Sequence, residues 1–354
     1  MRLKNPWRGE SGSSSDRVMA NYDFEWFFRE KKSMSHWTFA FITDIHVGTP
    51  RSYRYQPAWN ENWRTARRQI IEINPDFLLL GGDLTRDGNA HRYELEAIKA
   101  DLDELPFPYH TVPGNMDTGN KHTGVTGPSV SRDDVSLNVQ SEQLEQFGSV
   151  FGPSQWTFVH KNVRFSGLCE LLAGSGLREE KALWRWLEAQ TKQPEQQHHV
   201  WVMHSALFIE DPHEPNFDIR DPKHYHDWYF GMDEPYRSRL MDLFKATSTD
   251  LVLSGHVHCR KTQYAEGIRF DIGPTTAEAQ WADRWPDGDP TLGFLKYTVT
   301  DQGIEGTFVP LEKVSTAEGY GPGGHPLPDQ RDYSIASEKP SLEALGLSES
   351  RGEI

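Results

Sequence analysis

The 354-residue chain carries 37 Lys and Arg against 52 Asp and Glu, a formal charge of −15, which argues against nonspecific nucleic-acid binding and against docking on an anionic membrane. With 36% hydrophobic and 25% charged residues it has enough apolar material for one large α/β domain or two small ones. Its two cysteines, Cys169 and Cys259, read as reduced thiols rather than a disulfide framework.

The N-terminus, Met-Arg-Leu-Lys-Asn, lacks the apolar run and cleavage-like site of a secretory leader, and no stretch approaches a membrane span, so cytoplasm is the expected location. Residues 1–36 form an extension with a Ser-rich patch (Ser11 to Ser15) and an aromatic cluster (Tyr22, Phe24, Trp26, Phe27, Phe28) that can pack on the domain or on a partner. Strand-length apolar runs then occur at Trp37–Thr43, Phe77–Gly81, Tyr109–Val112, His199–Met203 and Leu251–Ser254. Helical periodicity marks Trp59–Ile73, His91–Leu105, Glu179–Gln190 and Glu234–Ala246. After Trp156 the spacing shortens, and Thr157–His160, Val163–Leu168, Thr262–Ala265, Ile268–Asp271, Leu295–Thr300 and Gly306–Val309 read as β-rich. From 311 to 354 Gly, Pro, Ser and charge dominate, a tail expected to be flexible or draped on the domain. The pattern predicts a single α/β domain over 37–310, a two-sheet β-sandwich core flanked by helices.

Five motifs close the apolar runs: Asp44-Ile45-His46, Gly81-Gly82-Asp83, Gly114-Asn115-Met116-Asp117, His204, and Gly255-His256-Val257-His258. In an extended strand residues i and i+2 share a face, so Asp44 with His46, and His256 with His258, are expected to be presented together while Ile45 and Val257 face the core. Carboxylates, imidazoles and an amide oxygen without cysteine suit Mn, Fe, Zn, Ni or Co rather than a thiolate zinc site. Two divalent ions would bring four positive charges against two carboxylates and one hydroxide, leaving a surplus of about one for an anionic ester.

In this order the motifs resemble the calcineurin-like metallophosphoesterases, over roughly Phe39 to Val309. Gly114-Asn-Met-Asp-Thr-Gly-Asn120, and the stretch from Asp227-Trp-Tyr-Phe-Gly to Ser254-Gly-His-Val-His, are closer to small calcineurin-like phosphoesterase domain proteins and class III phosphodiesterases. The resemblance implies a four-layer fold, two metal ions and a phosphate-ester substrate, hydrolysed by a metal-bridging hydroxide in a phosphodiesterase or phosphatase reaction. It also implies that Asp44, His46 and His258 hold one ion, Asn115, His204 and His256 the other, and that Asp83 bridges them. The alternative is a noncatalytic metal-binding scaffold on the same fold.

One departure stands out. The family writes Gly-Asn-His-Asp/Glu, with that histidine on the phosphate and the leaving group; here it is Met116, and Asp117 is left without the ring it would orient. His91, His122, Arg86 and Lys121 are candidates to replace it. Trp59, Trp63, Trp281 and Trp285 follow metal motifs and are candidate pocket walls, although helical spacing assigns Trp59 and Trp63 to the core. Arg86 and Trp281 are the substrate-contact candidates. His213, His224 and His226 fall in a Pro-containing loop that reads as a lid or plain surface, and Cys259 is expected to point away from the metal.

Overall fold

The computed structural model describes residues 36–318 apart from 51, 53, 124–134, 281–284 and 286. The extension before residue 36, Trp281 and the tail from 319 onward lie outside the described residues. Among them, no helix is long and apolar enough to cross a membrane.

The apolar runs become two mixed sheets. In the first, β1 (Trp37–Ile42), β2 (Phe77–Leu80) and β3 (Tyr109–Thr111) run parallel, extended on the far side of β1 by antiparallel β10 (Gly293–Thr300) and β11 (Gly303–Pro310), in the order β11-β10-β1-β2-β3. The second contains β4 (Trp156–His160), β5 (Val163–Gly167), β6 (His198–Val202), β7 (Leu251–Ser254), β8 (Lys261–Ala265) and β9 (Ile268–Ile272), ordered β4-β5-β6-β7-β9-β8, with β5, β6, β7 and β9 parallel.

Strand alternation sorts the side chains into layers. Phe39, Phe41 and Leu79 meet Phe165, Val200, Val202, Leu251 and Leu253 between the sheets. Phe39 stacks on Tyr297 at 4.8 Å and on Phe77 at 5.6 Å, each contact adding about 0.5–1.5 kcal/mol beyond area burial. The opposite faces take the helices. Ala40, Ile42, Leu78 and Leu80 pack on α1 (Pro57–Ile73), α2 (Arg92–Asp103) and, through Phe147, α4 (Ser141–Phe151). Trp201, Val252 and Phe270 pack on α5 (Arg178–Gln190) and α7 (Tyr236–Ala246). Helix, sheet, sheet, helix is the expected layering. Two short helices, α3 (Asn115–Thr118) and α6 (Tyr225–Phe230), lie in the loops.

Periodicity did not suggest α4 or α6. Helix α1 begins with Pro57, whose fixed φ suits the first turn, and ends on Asn74 at φ 51°. Residues 311–318 follow its surface: Leu311 is buried, and the Ser315 amide donates to Asn62 Oδ1 at 2.8 Å.

Candidate metal centre

Parallel pairing puts the C-terminal ends of β1, β2 and β3 at one edge of their sheet, and those of β6 and β7 at one edge of theirs. The motif residues begin just beyond those ends. Their backbone is not the extended form expected from strand alternation. Asp44 (φ 54°), His46 (46°), Asp83 (48°), His256 (69°) and His258 (59°) are all left-handed, a region that L-residues avoid. The loops turn sharply enough to aim successive side chains inward, while Ile45 and Val257 are buried in the core as expected. Close approach fixes two glycines: a Cβ on Gly114 would strike Asp83, and one on Gly255 would strike Thr43 and Asp44.

Asp44, His46, Asp83, Asn115, His204, His256 and His258 converge, all buried. His258 Nε2 is 3.3 Å from Asp44 Oδ1 and 2.9 Å from His46 Nε2. His204 Nε2 is 3.0 Å from Asn115 Oδ1 and 3.1 Å from His256 Nδ1. Asp83 reaches both sets, with Oδ1 3.4 Å from His204 Nε2 and Oδ2 3.6 Å from His46 Nε2. Two potential ligand groups result, Asp44-His46-Asp83-His258 and Asp83-His204-His256, sharing Asp83.

The donor chemistry fits cations. His204 Nδ1 donates to Gly81 O (2.8 Å), His258 Nδ1 to Glu278 O (2.7 Å) and His256 Nε2 to Tyr229 O (3.2 Å). A carbonyl can only accept, so each ring's other nitrogen is the one that faces the cluster, where it offers a lone pair to a cation once it carries no proton. Asp44 Oδ2 accepts from Thr43 Oγ1 and from the His256 amide, whereas Oδ1 is buried without a hydrogen-bond partner.

Proton affinities divide in the same way. Burial opposes charge on His204, but Asp83 and then Asp44 outweigh it and raise its pKa to about 10. Burial likewise opposes charge on His258, and Asp44 raises it. Burial and the neighbouring imidazoles push His46 and His256 well down. Burial resists ionisation of Asp44, yet His258 holds its pKa below the usual carboxylate range. Each half of the site thus attracts one positive charge.

Asp117 has a different task from the one expected of it. Its carboxylate accepts from the amides of Gly114, Leu84 and Thr85 and from Thr85 Oγ1, at 2.7–3.2 Å. It ties the Asp83 loop to the Asn115 loop without needing an imidazole. Burial, then the Asp83 charge, raises its pKa to about 6. Glu170, which the sequence reading missed, accepts from the backbone N–H of His204 (3.0 Å) and of Ser205 (2.6 Å).

Of the four substitutes for the missing histidine, the cleft over the ligand groups is lined by Arg86 alone, beside Met116, Tyr229, Phe230 and Gln280. Lys121 is buried, donating to Trp228 O, Gly231 O (2.7 Å) and Asp233 (3.2 Å). His122 Nε2 meets Val139 O at 3.1 Å, and His91 precedes α2 and stacks on Tyr93. Arg86 lies over the Trp59 ring at 4.4 Å, and its Nε has no hydrogen-bond partner. Burial and then Arg54 lower its pKa, so an anion beside it would be stabilising.

Trp59 also faces His46 at 5.7 Å and is half-buried, unlike buried Trp63, which donates to Asp101. Trp285 packs with Val257 and Cys259 instead of walling the cleft. Cys169 and Cys259 are free and buried. His213 is exposed, His224 pairs with Asp227 (3.5 Å), and His226 stacks on Phe230 (6.1 Å); none joins the ligand groups.

The sequence pattern of one known family, described as calcineurin-like phosphoesterase, matches residues 38–260. A probable cyclic nucleotide phosphodiesterase of Pseudoalteromonas sp. (strain SM9913) is 30% identical over 115 residues, 32% of this chain and 42% of that protein. The human serine/threonine-protein phosphatase CPPED1 is 26% identical over 222 residues, 56% of this chain and 60% of that one. The chain therefore spans about half the length of these relatives. In fold it is similar to a purple acid phosphatase from yellow lupin, at TM-score 0.53 and 15% identity, over 81% of this chain and 53% of that one.

Proposed function

Because this chain belongs to the calcineurin-like phosphoesterase family, we propose that it is a binuclear-metal-dependent phosphoric ester hydrolase. The observation that carries the reading is Asp83, one carboxylate shared by two convergent ligand groups. Asp44, His46 and His258 would hold one divalent ion, Asn115, His204 and His256 the other, and Asp83 both. Mn, Fe, Zn, Ni and Co suit this set of nitrogen and oxygen donors. When bound, the pair supplies an acidified water as nucleophile and neutralises phosphoryl oxygens.

The chain's own residues do the rest. Carbonyls of Gly81, Glu278 and Tyr229 fix the ring tautomers of His204, His258 and His256. Asp117 and Glu170 hold the loops that present Asp83 and His204. Arg86, over the Trp59 ring and lining the cleft, would anchor the ester's anionic oxygen. Met116 carries no proton, so esters with acidic leaving groups, aryl diesters above all, are turned over better than alkyl monoesters.

The second reading, a metal-binding scaffold, is favoured by Met116. The two separate in one experiment: metal stoichiometry, and hydrolysis of bis(4-nitrophenyl) phosphate with Mn, Fe, Zn and Ni in turn. Two ions per chain and turnover that Asp83→Asn abolishes are expected. Stoichiometric metal without hydrolysis of any ester would select the scaffold.

A further inference from the structure

We infer that Lys121, acting through helix α6, is a positioning residue for Asn115 and His256; this rests on the two-ion reading above. Asn115 and His256 come from distant parts of the chain, and both lean on α6. Asn115 Nδ2 donates to Tyr229 Oη at 3.0 Å, which turns Oδ1 toward His204 at 3.0 Å. His256 Nε2 donates to the backbone carbonyl of the same tyrosine at 3.2 Å, and its ring lies 4.8 Å from both Tyr229 and Phe230. Two ligands of one group are therefore placed only as well as a six-residue helix is.

A helix this short is not stable on its own, and the carbonyls at a helix end have no partner within it. Side chains from outside supply the partners at this end of α6. His256 takes Tyr229 O, and Lys121 takes the carbonyls on either side of it, Trp228 O and Gly231 O (2.7 Å). The ammonium also reaches Asp233 at 3.2 Å, so its three N–H groups meet three acceptors. A cation suits the C-terminal end of a helix, where the carbonyl dipoles point outward. The same Nζ lies 4.6 Å from the centre of the Trp228 ring, a cation–π contact.

Lys121 is itself held from behind. The preceding residue, Asn120, donates its N–H to Leu137 O at 2.7 Å and accepts from the Val139 amide at 2.8 Å. The loop that presents Asn115 thus also carries the buried clamp on α6. The other ligand group draws its support elsewhere: Asp44 accepts from Thr43 Oγ1, and His258 Nδ1 donates to Glu278 O. Loss of the clamp should loosen one group and spare the other.

The test is zinc affinity in two backgrounds, read by competition with a chelating dye. His46→Ala leaves the Asn115-His204-His256 group as the better site, and His204→Ala leaves the other. Lys121→Met removes the donors and keeps an unbranched side chain. In the first background it should weaken zinc about 10- to 100-fold, the range for groups that support a ligand from behind. In the second it should leave zinc affinity unchanged. Equal losses in both backgrounds would make Lys121 a residue of the fold at large, and no loss in either would remove it from the site; both results overturn the assignment. Lys121→Gln, a shorter uncharged donor that disturbs the fold less, should show a smaller loss confined to the first background. Equal or absent losses there would overturn the assignment as well. Wild-type protein that binds fewer than two zinc ions is a separate result, and it sinks the two-ion reading itself.

Discussion

Glu170 binds His204 through the histidine's backbone N–H, at 3.0 Å, and not through its ring. The carboxylate sets where the residue sits, and the Gly81 carbonyl sets how its ring turns. Replacing Glu170 with Gln retains one acceptor and sets an amide NH2 against the second backbone N–H. Metal affinity should fall about 10- to 100-fold, as for other residues that support a ligand from behind. Competition titration with a chelating dye measures it; unchanged affinity would show that His204 needs no such support.

Metal uptake should release protons. His204, with a pKa raised to about 10, is charged in the metal-free protein at neutral pH, and an ion must displace that proton. Affinity should therefore rise with pH from 6 to 9. Calorimetry in buffers of different ionisation enthalpy should find about one proton released by the half of the site that contains His204. Binding without proton release would show that His204 is neutral beforehand.

Glu94 gives a stability signal away from the ligand groups. It is fully buried, and burial followed by the Asp87 carboxylate raises its pKa from 4.5 to about 8, although one oxygen accepts from the Asp87 amide at 2.6 Å. The folded chain thus holds a proton that the unfolded chain releases above pH 4.5. Its contribution is complete below that pH and is lost as pH rises through about 8. Glu94→Gln should match the wild type in urea unfolding at pH 5 and exceed it at pH 9 by on the order of a few kcal/mol. Parallel pH profiles would refute the buried acid.

Arg86→Met keeps an apolar side chain on Trp59 and removes the charge. KM for an anionic aryl diester should rise about 10-fold or more with a smaller change in kcat, since the contact serves ground and transition states alike. Steady-state kinetics decide; an unaltered KM would leave Arg86 a packing residue.

Much of this was legible in the sequence. Strand-length apolar runs and the motifs closing them marked Trp37–Ile42, Phe77–Leu80 and Leu251–Ser254 to within a residue or so, because buried parallel strands are nearly continuous in apolar residues. Which residues gather at the sheet edges followed from that punctuation. The manner of gathering did not. Alternation cannot express five left-handed residues, and the enrichment of Asp and His at positive φ is too weak to place any one of them. The bonds of Asp117 and Glu170 go to backbone amides, which leave no trace in residue types. Helix α6 is a short run of aromatics, Tyr225 to Phe230, with no period long enough to detect, so Tyr229 could be noticed as part of a familiar stretch but not placed. Lys121 looked like a cleft cation because its three acceptors, two of them carbonyls, come from residues more than a hundred positions away.

The left-handed loops have a cost that the rest of the molecule must bear. Glycine at position 44, 46, 83, 256 or 258 would relax a twisted peptide, at about 1 kcal/mol or more for each non-glycine residue so held, and would also delete a side chain of the cluster. Ease of folding and capacity for chemistry pull in opposite directions at the same five peptides, and a library selected for thermal robustness alone would drift toward inert proteins.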